Sequence, residues 1–153
     1  MRTARRDDSA ISRWVCFELD EQMYGLPINV VQEVLADAVI EPVPGTTPMV
    51  LGVINLRGNV VTVLDLRRRF GFLPKDDSPG NRVVVVDHGN ESLGLAVDRV
   101  ADVRKLADSA IKPVPDTGTA TASAGIHGIV SREGQLLTLL DVKTLLQHSL
   151  LVA

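Results

Sequence analysis

Polar and apolar positions along the chain alternate in short runs. Residues 14–20, Trp-Val-Cys-Phe-Glu-Leu-Asp, begin apolar and then alternate, which predicts a half-buried strand with Val15, Phe17 and Leu19 facing inward. Residues 23–26 read as the returning strand. Pro27 fits the first turn of a helix, and apolar residues at 28, 31, 34 and 35 predict a helix over 28–35. Pro42, Pro44 and Pro48 mark a loop. Residues 50–56 and 60–64 are strands rich in β-branched side chains around an Arg57-Gly58-Asn59 turn. Asp65 is placed to cap a short helix over 66–70, and Gly71 to stop it. Residues 74–81 read as a linker-like loop.

The second half follows the same scheme. Val83 to Val86 form an unbroken apolar run within 82–87, as expected for a strand buried on both sides. Residues 93–97 and 100–106 predict strands where the first half predicts a helix. Residues 126–130 and 135–140 predict a second hairpin, and Asp141 is placed to cap a last helix from 142 to about 148. Many short strands between turn residues argue for a sandwich or barrel over a βαβ sheet.

The two halves are related by internal repetition. Residues 52–66, GVINLRGNVVTVLDL, align without a gap on residues 128–142, GIVSREGQLLTLLDV, at an offset of 76. Ile40-Glu-Pro-Val-Pro44 matches Ile111-Lys-Pro-Val-Pro115 at an offset of 71, and Gly25-Leu-Pro-Ile28 resembles Gly94-Leu-Ala-Val97 at 69. The growing offset places small insertions in the second half, the larger over 116–123. Two copies are too few for a solenoid. Each half, about 13–78 and about 80–148, is marginal alone, so two halves packed face to face on a shared core are expected. Residues 1–12 read as a flexible tail and 13–150 as one domain.

Composition narrows the function. The formal net charge is -3 and aromatics make up 3%, so neither phosphate neutralisation nor base stacking is favoured and no nucleic-acid partner is expected. The basic clusters Arg5-Arg6 and Arg67-Arg68-Arg69 read as solvated surface. One cysteine, Cys16, precludes an intramolecular disulfide and reads as a structural thiol. The polar residues 1–10 lack a signal peptide's apolar stretch, and no apolar run reaches the ~20 residues that span a bilayer. A cytoplasmic protein without membrane insertion is expected.

Little catalytic chemistry is visible. His88, His127 and His148 do not fall at metal-ligand spacing, and P-loop, GxGxxG and GxSxG patterns are absent. His88 and His148 read as exposed. Asp65 and Asp141 are the one tempting carboxylate pair, the basis of a small carboxylate-based enzyme as the competing reading, but helix capping explains both. Arg57 stands out as a binding residue. It sits in a tight turn, and arginine combines a flat apolar face with five donors. Its counterpart in the second half is Glu133.

Residues 52–71, GVINLRGNVVTVLDLRRRFG, resemble the signature of the CheW-like family: Gly52, Asn55, Leu56, Arg57 and Gly58 in the hairpin, then Asp65, Leu66, Arg67 and Phe70. Tyr24-Gly25, Val31-Gln32-Glu33-Val34 and Pro42-Val43-Pro44 also resemble it, and Thr62 departs from it where many members carry proline. The resemblance spans roughly residues 13–148. It implies a mainly β fold of two SH3-like five-stranded β-barrel subdomains sharing a core, with a few short helices. It implies an adaptor with no catalytic activity and no cofactor. The implied partners are the chemoreceptor cytoplasmic tip and, separately, the C-terminal regulatory domain of a histidine kinase. It implies a receptor site in the groove between the barrels, with Val31 and Glu33 on a helix and Asn55 and Arg57 on the hairpin. Kinase-binding residues are not assigned. An adaptor of a related chemosensory-type pathway, such as twitching motility or surface sensing, fits the same residues. A kinase fragment fits them less well, because the sequence reads as one whole module.

Overall fold

A computed structural model describes residues 10–73, 82–114 and 125–151. The first repeat contributes β1 (Ile11–Leu19), β2 (Gln22–Pro27), β3 (Val31–Leu35), β4 (Val50–Leu56), β5 (Asn59–Asp65) and the short helix α1 (Leu66–Arg69). The second contributes β6 (Arg82–His88), β7 (Glu91–Val97), β8 (Arg99–Ala107), β9 (Ile126–Arg132), β10 (Gln135–Leu140) and α2 (Val142–Leu151). The expected loops over 74–81 and 116–123 and the cluster Arg5-Arg6 lie outside the described residues. Strand β1 takes in Ile11 and Ser12, where a flexible tail is expected from the sequence.

The strands form two five-stranded sheets, in the orders β8-β1-β2-β10-β9 and β3-β6-β7-β5-β4. Neither sheet is one repeat. Each takes the first two strands of one repeat and the last three of the other, so the repeats exchange strands where face-to-face halves were expected. The correspondence reaches individual residues. Val31 pairs with Val86 as Val100 pairs with Phe17, with a bulge next to each pair. The parallel pairing of Val63 with Gly94 repeats as Leu139 with Gly25. The bridge Glu41–Val53 repeats as Lys112–Ile129.

Two glycines make those bridges possible. A Cβ on Gly52 would lie 2.2 Å from the Glu41 carbonyl oxygen, and one on Gly128 would lie 2.6 Å from Ile111 Cγ2. The backbones can approach this closely only without a side chain.

Strand alternation divides the core in three. Ile54, Val61, Val63, Val83 and Val85 fill the inside of one sheet, and Trp14, Cys16, Leu106, Val130, Leu137 and Leu139 the inside of the other. Between the sheets lies a shared core with Phe17, Leu19, Leu26, Leu64, Val84, Val86, Leu95, Leu140 and Leu145. The valine run is therefore buried on both faces: Val83 and Val85 point into a sheet's own cluster, Val84 and Val86 into the shared one. Each sheet with its enclosed cluster is an SH3-like subdomain. Tyr24 stacks between Phe17 and Phe70, at ring-centroid distances of 5.9 and 5.3 Å, and carries the shared core to α1.

The helix expected over 28–35 is not formed. Ile28–Val30 make one 3-10 turn, and Val31–Leu35 are strand β3. Pro27 ends β2. Burial over 31–35 alternates between half-buried and exposed, the period of a strand. The capping reading of Asp65 fares better. The Asp65 carboxylate accepts from the Arg67 and Arg68 backbone N–H groups, and Gly71 follows at φ +82°. Asp141 precedes α2 and accepts from the Thr144 hydroxyl at 3.1 Å.

Candidate partner-binding site

The β4–β5 turn is built for display. Arg57 and Gly58 both take positive φ, +53° and +87°, the pairing of a two-residue type I′ turn. Asn55 secures the turn by accepting from the Gly58 N–H at 2.9 Å. Asn55 is itself exposed, so its amide N–H groups face solvent. Glu133 and Gly134 repeat the turn at +53° and +80°. The two hairpin tips thus share a backbone and carry opposite charge.

Arg57 does not stand alone. Its Nη2 lies 2.7 Å from Glu33 Oε1, with the Arg57 side chain 73% exposed. Strands β3 and β4 are opposite edges of their sheet, so the pair also shows how far that sheet curls. Next to it, the Gln32 side-chain amide donates to Asp87 Oδ1 and to Ser92 Oγ. Arg57, Gln32, Asn59, Thr62 and Ser92 line a small polar hollow of about 620 Å³.

The structure therefore brings Glu33, Arg57 and Asn55 to one end of one sheet. Val31 is placed differently. It is half-buried against the shared core, while Val34 on the same strand is 42% exposed. A larger cleft of about 1070 Å³ opens between the sheets, lined by Trp14, His127 and Leu140 from one side, His88 from the other, and Pro27 and Val30 between them. None of the four expected residues lines this cleft, but Val30 adjoins Val31. His88 is half-buried at the end of β6, not in an exposed loop, and exposed His127 lies against Trp14 at 5.7 Å between ring centroids. The side chain of His148 lies outside the described residues.

Two buried groups are clear of the site. Cys16 is fully buried, and burial pushes its thiol up to about 11, away from thiolate chemistry. Arg67 is 13% exposed, contrary to the solvated reading. Its guanidinium meets Asp98 Oδ2 at 2.6 Å and Asp20 Oδ1 at 3.2 Å, and its Nε donates to the Leu73 carbonyl at 2.8 Å. Sequence reasoning missed this role because both aspartates are remote in the chain. The one signal was the place of Arg67 in the Asp65-Leu66-Arg67 motif.

Fold and site together define a duplicated, strand-exchanged β module that displays an ion pair on a rigid hairpin beside an inter-sheet cleft. Residues 13–150 match the model of the CheW-like domain, and the chain belongs to that family. It is 29% identical to Chemotaxis protein CheW of Helicobacter pylori, over 94% of this chain and 86% of that protein. It is 34% identical to Protein FrzA of Myxococcus xanthus, over 86% and 83% respectively. The crystal structure of scaffolding protein TtCheW from Thermoanaerobacter tengcongensis superposes with a TM-score of 0.79 at 33% identity, covering 88% of this chain and 91% of that one.

Proposed function

We propose that the chain is a non-catalytic adaptor that couples chemoreceptors to a chemotaxis-type histidine kinase on the cytoplasmic side of receptor arrays. The observation that carries this reading is the similarity to chemotaxis proteins over nearly the full length of both partners. The geometry supplies a means. Arg57, positioned by Glu33, offers a charge-assisted hydrogen bond to a receptor helix. Asn55 adds its amide, and the exposed part of Val31 adds apolar contact next to the inter-sheet cleft. The kinase regulatory domain binds elsewhere on the surface, which lets one small protein hold both partners. Asp65 caps α1, and Asp141 precedes α2 and accepts from the Thr144 hydroxyl, structural roles that need no catalysis. Such an adaptor passes a signal only by contacting kinase-on and kinase-off arrangements differently.

Reconstitution tests the proposal. Receptor-containing membranes and purified kinase are combined with and without this protein, and kinase autophosphorylation is followed. The adaptor reading expects receptor control of the kinase only when the protein is present. Receptor control that is the same without it contradicts the reading.

A further inference from the structure

The chain crosses between the sheets at two quasi-equivalent places, from β2 to β3 and from β7 to β8. The second crossing is fastened. Asp98 sits in it, and its Oδ2 accepts from the Asp20 backbone N–H at 2.8 Å and from Arg67 Nη1 at 2.6 Å. Asp20 belongs to the β1–β2 turn of one sheet, and Arg67 to α1, which follows β5 of the other. Three segments from both sheets therefore meet in one ion cluster, in which Arg67 and Asp98 are largely withdrawn from solvent, where such a pair is screened least, and Asp20 is half exposed.

The register identifies the residues at the first crossing. Asn29 stands where Asp98 does, Gly89 where Asp20 does, and Lys143 where Arg67 does. Asparagine and glycine have no carboxylate, and among the described residues Lys143 makes no salt bridge. Gly89 and Lys143 instead line the large inter-sheet cleft, which lies at this crossing. One of two equivalent junctions is locked by charge, and the other lacks that lock and borders the cleft.

We infer that Arg67 is a positioning residue that makes the molecule a one-sided hinge, pinning the sheets at the β7–β8 crossing so that they can move relative to each other only at the β2–β3 crossing, where the cleft opens and narrows. The shared core supplies the pivot, and the short β2–β3 connection Ile28–Val30 absorbs the dihedral change. This inference does not depend on which partners the protein binds.

Spin labels on Asn59→Cys and Ser131→Cys, exposed positions on different sheets, report the distance between the sheets. Fully buried Cys16 stays unlabelled in the folded protein. Arg67→Met unfastens the locked crossing and widens the distance distribution. Arg104→Met, which breaks an ion pair within β8, leaves it unchanged. The converse variant carries Asn29→Asp, Gly89→Asp and Lys143→Arg, and builds a second clasp at the open crossing. A Cβ added at Gly89 would enter open space, and the φ of +65° there is close to the +52° that Asp20 adopts at the equivalent place. This variant narrows the distribution below that of the wild type. An Arg67→Met protein that melts earlier but keeps the wild-type distribution makes Arg67 a stabilising residue only and overturns the hinge. If Arg67→Met does not fold, the triple variant decides: narrowing supports the hinge, and an unchanged width overturns it.

Discussion

Arg57 and Glu33 form a 2.7 Å ion pair that ties the tip of the β4–β5 hairpin to the edge strand β3. The pair is mostly in solvent on the arginine side, so its effect on folding is small. Exposed pairs of this kind contribute ~0.2–1 kcal/mol. Its value lies in holding the guanidinium in one orientation, because an ordered side chain loses less entropy on meeting a partner.

A double-mutant cycle on Arg57→Ala and Glu33→Ala separates these effects. Urea denaturation is expected to give a coupling below about 1 kcal/mol. Affinity for a receptor-tip fragment is expected to fall by about 1–4 kcal/mol with Arg57→Ala, and by less with Glu33→Ala. Equal losses in stability and affinity would show the pair to be a fold contact.

The glycines separate steric from conformational need. Gly52→Ala puts a methyl group onto the Glu41 carbonyl, and Gly128→Ala puts one onto Ile111 and Lys112. Each is expected to destabilise by about 3 kcal/mol or more, read from denaturant midpoints. Gly58→Ala meets no neighbour and bears only its φ of +87°, so about 1 kcal/mol is expected.

The shared core predicts that the two sheets unfold together. Leu95 is fully buried between them. Leu95→Ala is expected to cost ~2–5 kcal/mol while keeping a single transition by both circular dichroism and Trp14 fluorescence. Trp14 lies in the cluster of one sheet, so a fluorescence change separate from the circular dichroism change would mean that the sheets unfold independently.

Cys16 gives the fold an alkaline limit. Burial raises its thiol from an ordinary 9.0 to about 11, partly offset by Arg104. Between these values the unfolded chain has lost a proton that the folded chain keeps. The contribution is full below about 9 and is lost as pH rises to about 11, on the order of 2–3 kcal/mol. Tyr24, raised by burial and by Asp20, acts in the same direction. Cys16→Ala therefore flattens part of the decline in stability measured across this range, and a decline as steep as in the wild type would remove the thiol from the account.

The sequence reveals its duplicated hairpins, the helix cap at Asp65 and the doubly buried valine strand because each depends on neighbouring residues. Strand exchange between the repeats is not legible, since the apolar pattern of β1 is the same whichever copy it pairs with. Strand β3 reads as a helix because apolar residues at 28, 31, 34 and 35 satisfy a helical period, while the chain instead half-buries 31, 33 and 35. Glu33 and Arg57 meet for a reason that no local pattern shows: their strands are far apart in sheet order and approach only when the sheet curls. Arg67 is hidden by its basic neighbours.

Calorimetric titration with a receptor-tip fragment and with the kinase regulatory domain, wild type beside Arg57→Ala, tests the central claim most directly. The adaptor account predicts that the wild type binds both partners and that the substitution weakens receptor binding by roughly tenfold or more while leaving kinase binding unchanged. Wild-type protein that binds neither partner, or a substitution that weakens both alike, would contradict it.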